Sequence, residues 1–171
     1  DEGKTHHFAN LFIQTINRQS VGTEGTEAPD FDLLTLSGEK VKLSEMRGKT
    51  VIIDFWATWC GPCIKSFPGM KQAQDKYAGN DDVEFLFVNT FERVPQEQWK
   101  THVQNFIDKR KYQYLNPVLD IGNATALAYG VEGIPAKFCI GPDGTIKHKS
   151  TGYMGTADAV YSEMVEWIDG K

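Results

Sequence analysis

Two segments of the chain carry apolar residues in nearly unbroken runs, at 49–57 and 82–90. Short runs of this kind are typical of strands that are buried on both faces of a sheet. After each run, apolar residues recur at three- and four-residue spacing, which is the pattern of an amphipathic helix. We therefore predict a strand and a helix that ends at Gly79, then a second strand and a helix over 95–111. Pro68 lies inside the first helix and predicts a kink there.

Shorter elements are predicted on both sides of this central pattern. Residues 31–43 are predicted to form two short strands around a turn at Ser37-Gly38. The later pattern predicts a brief strand, a short helix, a hairpin and a closing helix, at 116–120, 123–130, 136–150 and 156–170. Because strands alternate with helices and a hairpin comes late, we expect an α/β fold with a mixed sheet covered by helices on both faces.

The first part of the chain has a different character. Residues 5–19 carry apolar side chains at helical spacing, which predicts a short amphipathic arm, and residues 20–30 are small, polar and rich in glycine, as in a linker. A length of 171 residues suits one domain. The sequence therefore predicts an N-terminal arm and linker over 1–26 and a single domain over 27–171.

The amino-acid composition argues against several classes of protein. With 40% hydrophobic and 12% aromatic residues, the chain can bury a core without disulfide staples, and its three cysteines are too few for a disulfide scaffold. A formal net charge of −5 argues against a nucleic-acid partner. No segment approaches the ~20 apolar residues of a membrane helix. The chain begins without Met, so we expect membrane association only through an anchor that has been removed.

Two of the three cysteines are separated only by Gly61-Pro62, directly after the first buried strand. Cys60 is predicted to lie at or just before the start of the helix, where free backbone N–H groups and the helix dipole favour a thiolate. A lowered thiol pKa is what a nucleophilic cysteine needs. Cys63 lies about one turn further on the same face, so its sulfur can resolve a mixed disulfide formed at Cys60.

Two other roles for this cysteine pair fit less well. A staple that closes four residues contributes roughly 2 kcal/mol or less by chain entropy, and it ties nothing distant together. A structural zinc site needs four ligands, commonly from two paired motifs. The other candidate ligands are isolated or near an end of the chain: Cys139, His6, His7, His102 and His148. We therefore expect no metal and no cofactor.

Asp54 interrupts the first buried strand. Burial disfavours the charged form of a carboxyl group, so the pKa of Asp54 is predicted to be raised. A carboxyl group with a raised pKa near Cys63 can take and return the proton of that thiol during exchange. The alternative is a buried aspartate that is bonded to the local backbone.

The segment VIIDFWATWCGPCIKSFP at 51–68 resembles the active-site segment of the thioredoxin superfamily. The segments APDFDLLTLSGEKVKLSEMRGK at 28–49 and VEGIPAKFCIGPDGTIKHKSTGY at 131–153 are similar to the TlpA/ResA-like branch of thiol–disulfide reductases. The resemblance covers about residues 27–169. It implies a thioredoxin fold, with a central mixed sheet, an N-terminal β-hairpin and an inserted βα segment. It also implies an extracytoplasmic location, either periplasmic or anchored to a membrane and facing outward.

The resemblance assigns the expected substrate-binding residues. Pro135 matches the proline that the family holds in cis opposite the active-site cysteines, which leaves the backbone of Ile134 free to pair with an extended substrate segment. Trp59 matches the tryptophan beside the nucleophile, where it shields the disulfide and offers an apolar platform to partners. The alternative for Trp59 is a core aromatic at a strand end. Gly61 and Pro62 complete the predicted surface.

The comparison with the family also leads to expectations for four more residues. Asp54 matches the buried aspartate of thioredoxins, and Glu92 resembles a glutamate at the active-site surface that takes part in proton transfer. The alternative for Glu92 is an exposed loop residue. Cys139 is expected to be a buried, inert thiol. Lys137 stands where threonine is common, and we expect it to alter the charge near the substrate groove.

The resulting hypothesis is a thiol–disulfide oxidoreductase that works as a monomer. Cys60 attacks a disulfide of a protein client, Cys63 resolves the mixed disulfide, and an upstream thiol donor restores the pair. The dipeptide Gly61-Pro62, found in reducing thioredoxins, favours a reductase. Two alternatives stay open at this point. One is a peroxiredoxin-like peroxidase, suggested by APDFDLLTLSG at 28–38 although the Pro-x-x-x-Thr-x-x-Cys pattern is missing; the other is a docking module with idle cysteines.

Overall fold

A computed structural model describes residues 22–170 of the chain. The predicted helical arm at 5–19 lies outside the described residues. In the described part, the strands form one sheet in the order β2-β1-β5-β4-β3-β6-β7. The strands are β1 (Asp32–Thr35), β2 (Lys40–Lys42), β3 (Thr50–Trp56), β4 (Val83–Asn89), β5 (Val118–Leu119), β6 (Ala136–Ile140) and β7 (Ile146–Thr151).

The helices follow the predicted pattern closely. They are α1 (Gly61–Lys76), α2 (Gln96–Arg110), α3 (Ala124–Ala128) and α4 (Ala157–Asp169). Helix α1 ends at Lys76, three residues before the predicted end at Gly79, and it runs through Pro68 without interruption; the kink stays a prediction. Helix α4 begins where the hydroxyl of Thr156 accepts a hydrogen bond from the N–H of Ala159 at 3.1 Å, and it ends at Gly170 with a left-handed φ of 67°.

Strand β3 is the centre of the sheet. It pairs in parallel with β4 and antiparallel with β6, so both of its edges are hydrogen-bonded. Side chains that alternate along β3 enter two separate cores. One core packs against α1, α2 and α4, and the other packs against α3 and the segment that contains Phe31 and Leu43. The predicted mixed sheet with cover on both faces is confirmed, and the first half of α1 is held directly above the carboxyl end of β3.

The family-specific additions to the fold are also present. Strands β1 and β2 form the expected N-terminal hairpin, and β1 joins the sheet through β5. Helix α2 and strand β5 form the inserted segment, in which β5 pairs in parallel with β4. The domain boundary at 26/27 stays a prediction, but the N–H of Gly25 donates to Ile146 at the start of β7 at 2.7 Å, and the N–H of Ala28 donates to Gly144 in the turn before β7 at 2.9 Å.

Candidate active site

Cys60 and Cys63 are joined in a disulfide at the beginning of α1, with an Sγ–Sγ distance of 2.10 Å. Cys60 is the N-cap residue of the helix, and its Sγ accepts a hydrogen bond from the backbone N–H of Cys63 at 3.2 Å. Cys60 is 2% exposed and Cys63 is fully buried. The structure thus places Cys60 at the leading edge of the helix and Cys63 one turn inward, where free N–H groups and the positive end of the dipole surround the outer sulfur.

The Ile134–Pro135 peptide bond is cis, as predicted, and it lies beside the disulfide. The carbonyl oxygen of Ile134 is 3.7 Å from Sγ of Cys60. This proximity follows from the sheet, because Phe55 near the end of β3 pairs with Ala136 at the start of β6. Within residues 22–170 the N–H of Ile134 has no hydrogen-bond partner, so it is free to bond to an extended segment.

Trp59 lies at the surface next to the disulfide, with 42% of its area exposed. Its indole N–H donates to the carbonyl oxygen of Phe91 at 2.8 Å, and the guanidinium of Arg93 stacks 3.8 Å from the ring centroid. These contacts hold the ring as a platform and exclude the alternative of a core aromatic at a strand end. Gly61 and Pro62 are exposed beside it.

The side chain of Glu92 turns inward, with none of its side-chain surface exposed. Its carboxylate accepts three hydrogen bonds at 2.7 Å, from the backbone N–H and the hydroxyl of Thr58 and from the side-chain amide of Asn89. The expectation of a surface glutamate, and the alternative of an exposed loop residue, both misplace this side chain. Glu92 is drawn inward because it satisfies polar groups of the loop that leads into Cys60.

Three residues that the sequence analysis did not connect with the site extend this network. His102 Nε2 lies 2.8 Å from the hydroxyl of Thr58 and 3.6 Å from the carboxylate of Glu92. Asn89 also accepts a hydrogen bond from the indole N–H of Trp99 at 2.6 Å. No local sequence signal marks Asn89, Trp99 or His102, because β4 and α2 bring them to Thr58 only in the folded chain.

Asp54 and Lys137 form an ion pair below the active site. The Lys137 ammonium lies 3.1 Å from Oδ1 of Asp54 and 3.4 Å from the hydroxyl of Ser66, which donates to the carbonyl oxygen of Cys63 at 2.8 Å. Burial raises the pKa of Asp54, and the Coulombic effect and hydrogen bond of Lys137 oppose that rise. Oδ2 of Asp54 has no hydrogen-bond partner in the described structure.

This arrangement corrects the expectation for Lys137. The lysine is 2% exposed, so its charge lies in the interior of the sheet and not at the substrate groove. A buried ammonium is stable only with a compensating charge, and Asp54 supplies it from the neighbouring strand. The alternative for Asp54, bonding to the local backbone, is not observed.

Cys139 is the remaining cysteine, and it is unpaired and 1% exposed in β6. Burial raises the pKa of its thiol to about 11. The expected burial is confirmed, and because the thiolate is the reactive form, the raised pKa supports the prediction that this thiol is inert. Residues 22–170 contain no cluster of three or more His, Cys, Asp or Glu side chains arranged to hold a metal ion.

A disulfide at the N-terminus of a helix, above the central strand of a mixed sheet and beside a cis-proline, defines a thiol–disulfide oxidoreductase with a thioredoxin fold. Residues 23–164 match the family model described as Redoxin. The chain belongs to this family.

Relatives and solved structures agree with this class. The chain is 38% identical over 133 residues to the thiol-disulfide oxidoreductase ResA of Bacillus subtilis, an alignment that covers 77% of this chain and 69% of ResA. A crystal structure from Chlorobium tepidum, assigned as thiol:disulfide interchange protein DsbE, superposes with a TM-score of 0.68 at 31% identity, over 84% of this chain and 95% of that one. An exposed lipoprotein thioredoxin of Streptococcus pneumoniae superposes with a TM-score of 0.67 at 28% identity, over 81% and 99%.

Proposed function

We propose that this oxidoreductase reduces disulfides in protein clients outside the cytoplasm, with Cys60 as nucleophile and Cys63 as resolving thiol. The observation that carries the proposal is the position of Cys60 Sγ. It caps the N-terminus of α1, accepts the N–H of Cys63 at 3.2 Å, and lies 3.7 Å from the carbonyl oxygen of Ile134. The same sulfur therefore has a group that stabilises its thiolate and a backbone edge where a client can pair.

The reaction begins with the reduced pair. The Cys60 thiolate attacks one sulfur of the client disulfide, an S–S bond forms between enzyme and client, and the second client sulfur leaves as a thiolate that takes up a proton. Cys63 then loses its proton and attacks Sγ of Cys60, which releases the first client sulfur as a thiol. Two electrons pass to the client, and the enzyme is left with the Cys60–Cys63 disulfide. An upstream dithiol donor reduces this disulfide by the same two exchanges in reverse.

Asp54 is proposed as the group that receives the proton of Cys63. Burial raises its pKa and its Oδ2 is unpartnered, so it holds a proton more readily than an exposed carboxyl group does. Lys137 and Ser66 connect it to the carbonyl oxygen of Cys63 by contacts of 3.4 Å or less. Asp54 therefore belongs to a buried network that lies directly beneath the resolving cysteine.

Glu92 is proposed as a positioning residue that tunes the nucleophile indirectly. It fixes Thr58 through two hydrogen bonds at 2.7 Å, and Thr58 lies two residues before Cys60. A loop held in this way keeps Cys60 Sγ at the helix N-terminus, where the thiolate is stabilised. This role replaces direct proton transfer by Glu92 at the surface.

The clients are proposed to dock across Trp59, Gly61, Pro62, Ile134 and the cis-proline Pro135. One copy of the chain suffices, because a single domain supplies both cysteines and this surface. The extracytoplasmic location is supported by the exposed lipoprotein thioredoxin among the structural neighbours. None of the helices within residues 22–170 has the length and apolar character needed to cross a membrane.

The test is disulfide reduction with insulin as client and dithiothreitol as donor. We expect Cys60→Ser to abolish turnover and Cys63→Ser to accumulate a mixed disulfide with the client, whereas Cys139→Ser serves as the matched control that keeps turnover. Wild-type turnover by Cys60→Ser would overturn the proposal. The direction of electron flow follows from the potential of the pair, which for a reductase lies nearer roughly −270 mV than roughly −120 mV.

A further inference from the structure

We propose that a basic pocket beside Trp59 binds an acidic segment of the client next to its disulfide; this inference rests on the proposed function and adds a client preference to it. The pocket has a volume of about 400 Å³ and opens between the loop that precedes Cys60 and helix α2. Its apolar walls are Trp59, Val94 and Phe106, and its basic rim is Arg93, Lys109 and Arg110.

The three cations of the rim have no carboxylate partner. Within residues 22–170, none of them lies within 4.0 Å of an Asp or Glu oxygen. In this part of the chain Lys42 and Lys149 are also without an ion pair, but they do not line this pocket. Two of the three sit over aromatic rings: Arg93 over Trp59 at 3.8 Å and Arg110 over Phe106 at 5.9 Å. Their charges are thus concentrated at the mouth of the pocket and are not neutralised there.

The pocket lining contains one carboxylate, that of Glu92. This side chain has no exposed surface, and its oxygens are already occupied by Thr58 and Asn89. It therefore offers no exposed carboxylate oxygen to the cations of the rim. A chain with a formal net charge of −5 thus presents three exposed cations at a pocket that borders Trp59, the residue before its reactive cysteine.

The chemistry of this surface selects its occupant. Apolar walls with an exposed indole accept an aliphatic or aromatic side chain, and three unpaired cations accept carboxylates. Trp59 directly precedes Cys60, so a client cysteine bonded to Cys60 brings its neighbouring residues to the mouth. The occupant is therefore the stretch of the client that flanks the disulfide, with an apolar residue and one or more Asp or Glu residues within a few positions of the cysteine.

The experiment compares two disulfide-bonded peptides that differ only in flanking residues, Asp and Glu in one and Asn and Gln in the other. We expect the wild-type enzyme to show a kcat/KM about tenfold higher for the acidic peptide at low salt, with the ratio falling as salt is raised. In Lys109→Glu/Arg110→Glu the ratio should fall to one or below. Lys109→Gln/Arg110→Gln should give an intermediate ratio. The matched control Lys42→Glu/Lys149→Glu, with the same change in net charge elsewhere on the surface, should keep the wild-type ratio.

The inference is overturned if the wild-type enzyme shows no preference, or if its preference survives the charge reversal at Lys109 and Arg110. The inference is also overturned if the acidic peptide is preferred only as a dithiol that reduces the oxidised enzyme. In that case the pocket would bind the electron donor and not the client. A small uncharged disulfide, reduced by every variant, reports separately on the proposed function. If Cys60→Ser reduces that compound like the wild type, the proposed function fails. If the wild-type enzyme reduces it but shows no preference between the two peptides, only the inference about the pocket is contradicted.

Discussion

Asp54 and Lys137 are directly opposite each other in the antiparallel pairing of β3 with β6, and their charged groups are 3.1 Å apart. Their side chains are 1% and 2% exposed, so both charges are removed from water. In such an environment the attraction only offsets the loss of hydration, and each charge depends on the other. The pair therefore couples the protonation of Asp54 to the strand that directly follows the cis-proline.

Replacing Lys137 should expose that dependence. We expect Lys137→Met to lower the free energy of unfolding by about 3–5 kcal/mol at pH 8, because Asp54 is left as an uncompensated buried charge. The loss should shrink at pH 5, since the pKa of Asp54 rises further without Lys137 and the carboxyl group becomes neutral. Urea unfolding at both pH values measures this. The double variant Asp54→Asn/Lys137→Met should recover most of the loss, and equal losses at both pH values would contradict the coupling.

Asp54 should make the free energy of unfolding depend on pH. Its pKa is raised by burial above 3.8, so the folded state binds the proton more tightly than the unfolded state. The stabilisation from this group is fully present below pH 3.8 and is lost as the pH rises through the folded-state pKa. The free energy of unfolding of wild type minus that of Asp54→Asn should therefore fall with rising pH above 3.8.

Asp143 provides a control of opposite sign. Hydrogen bonds from the backbone and hydroxyl of Thr145, and then from Lys147, lower the pKa of this exposed carboxyl group. The stabilisation from Asp143 is present above the pKa that this group has in the unfolded state, and it is lost as the pH falls. The free energy of unfolding of wild type minus that of Asp143→Asn should therefore rise with pH. If both of these free-energy differences changed with pH in the same direction, the raised pKa of Asp54 would be contradicted.

Glu92 should affect catalysis through Thr58. We expect Glu92→Ala to lower kcat/KM for a protein disulfide about tenfold, the equivalent of about 1.4 kcal/mol, because a buried N–H of the loop loses its acceptor. Glu92→Gln should recover part of the loss, since its amide oxygen can still accept that hydrogen bond. The pH dependence of alkylation of Cys60 should shift to higher pH in Glu92→Ala. The positioning role is contradicted if Glu92→Ala leaves the alkylation of Cys60 unchanged and lowers kcat/KM no more than the exposed control Glu97→Ala does.

The thiol of Cys139 should not react with alkylating reagents in the folded enzyme. With a thiol pKa of about 11, it should resist iodoacetamide at pH 8 while Cys60 of the reduced enzyme is modified first. Peptide mass spectrometry locates the label, and guanidinium should make Cys139 reactive. Cys139→Ala should keep full turnover and cost roughly 1 kcal/mol of stability. Rapid labelling of Cys139 in the folded protein would instead indicate a third redox thiol.

Features with a local signature could be predicted from the sequence. The strand pattern at 49–57 and the helix that follows its N-cap Cys60 each depend on neighbours within a few residues, and the structure has both. The cis bond before Pro135 is instead predicted from the family resemblance, and the structure has it too. The partner of Asp54 has no such signature, because Lys137 lies 83 positions away and meets it only through the register of two strands. Glu92 was misplaced for a similar reason. Its direction is set by polar groups on the Thr58 loop and on β4, which a linear pattern does not bring together.

The attachment of residues 25–28 has a consequence for access. They bond to the start of β7, next to the end of β6 and the beginning of β3, whereas the disulfide follows the end of β3. Seven residues of extended strand separate these two poles, roughly 20 Å. Residues 25–28 are therefore attached at the pole remote from Cys60, and this attachment does not cover the sulfur that a client meets.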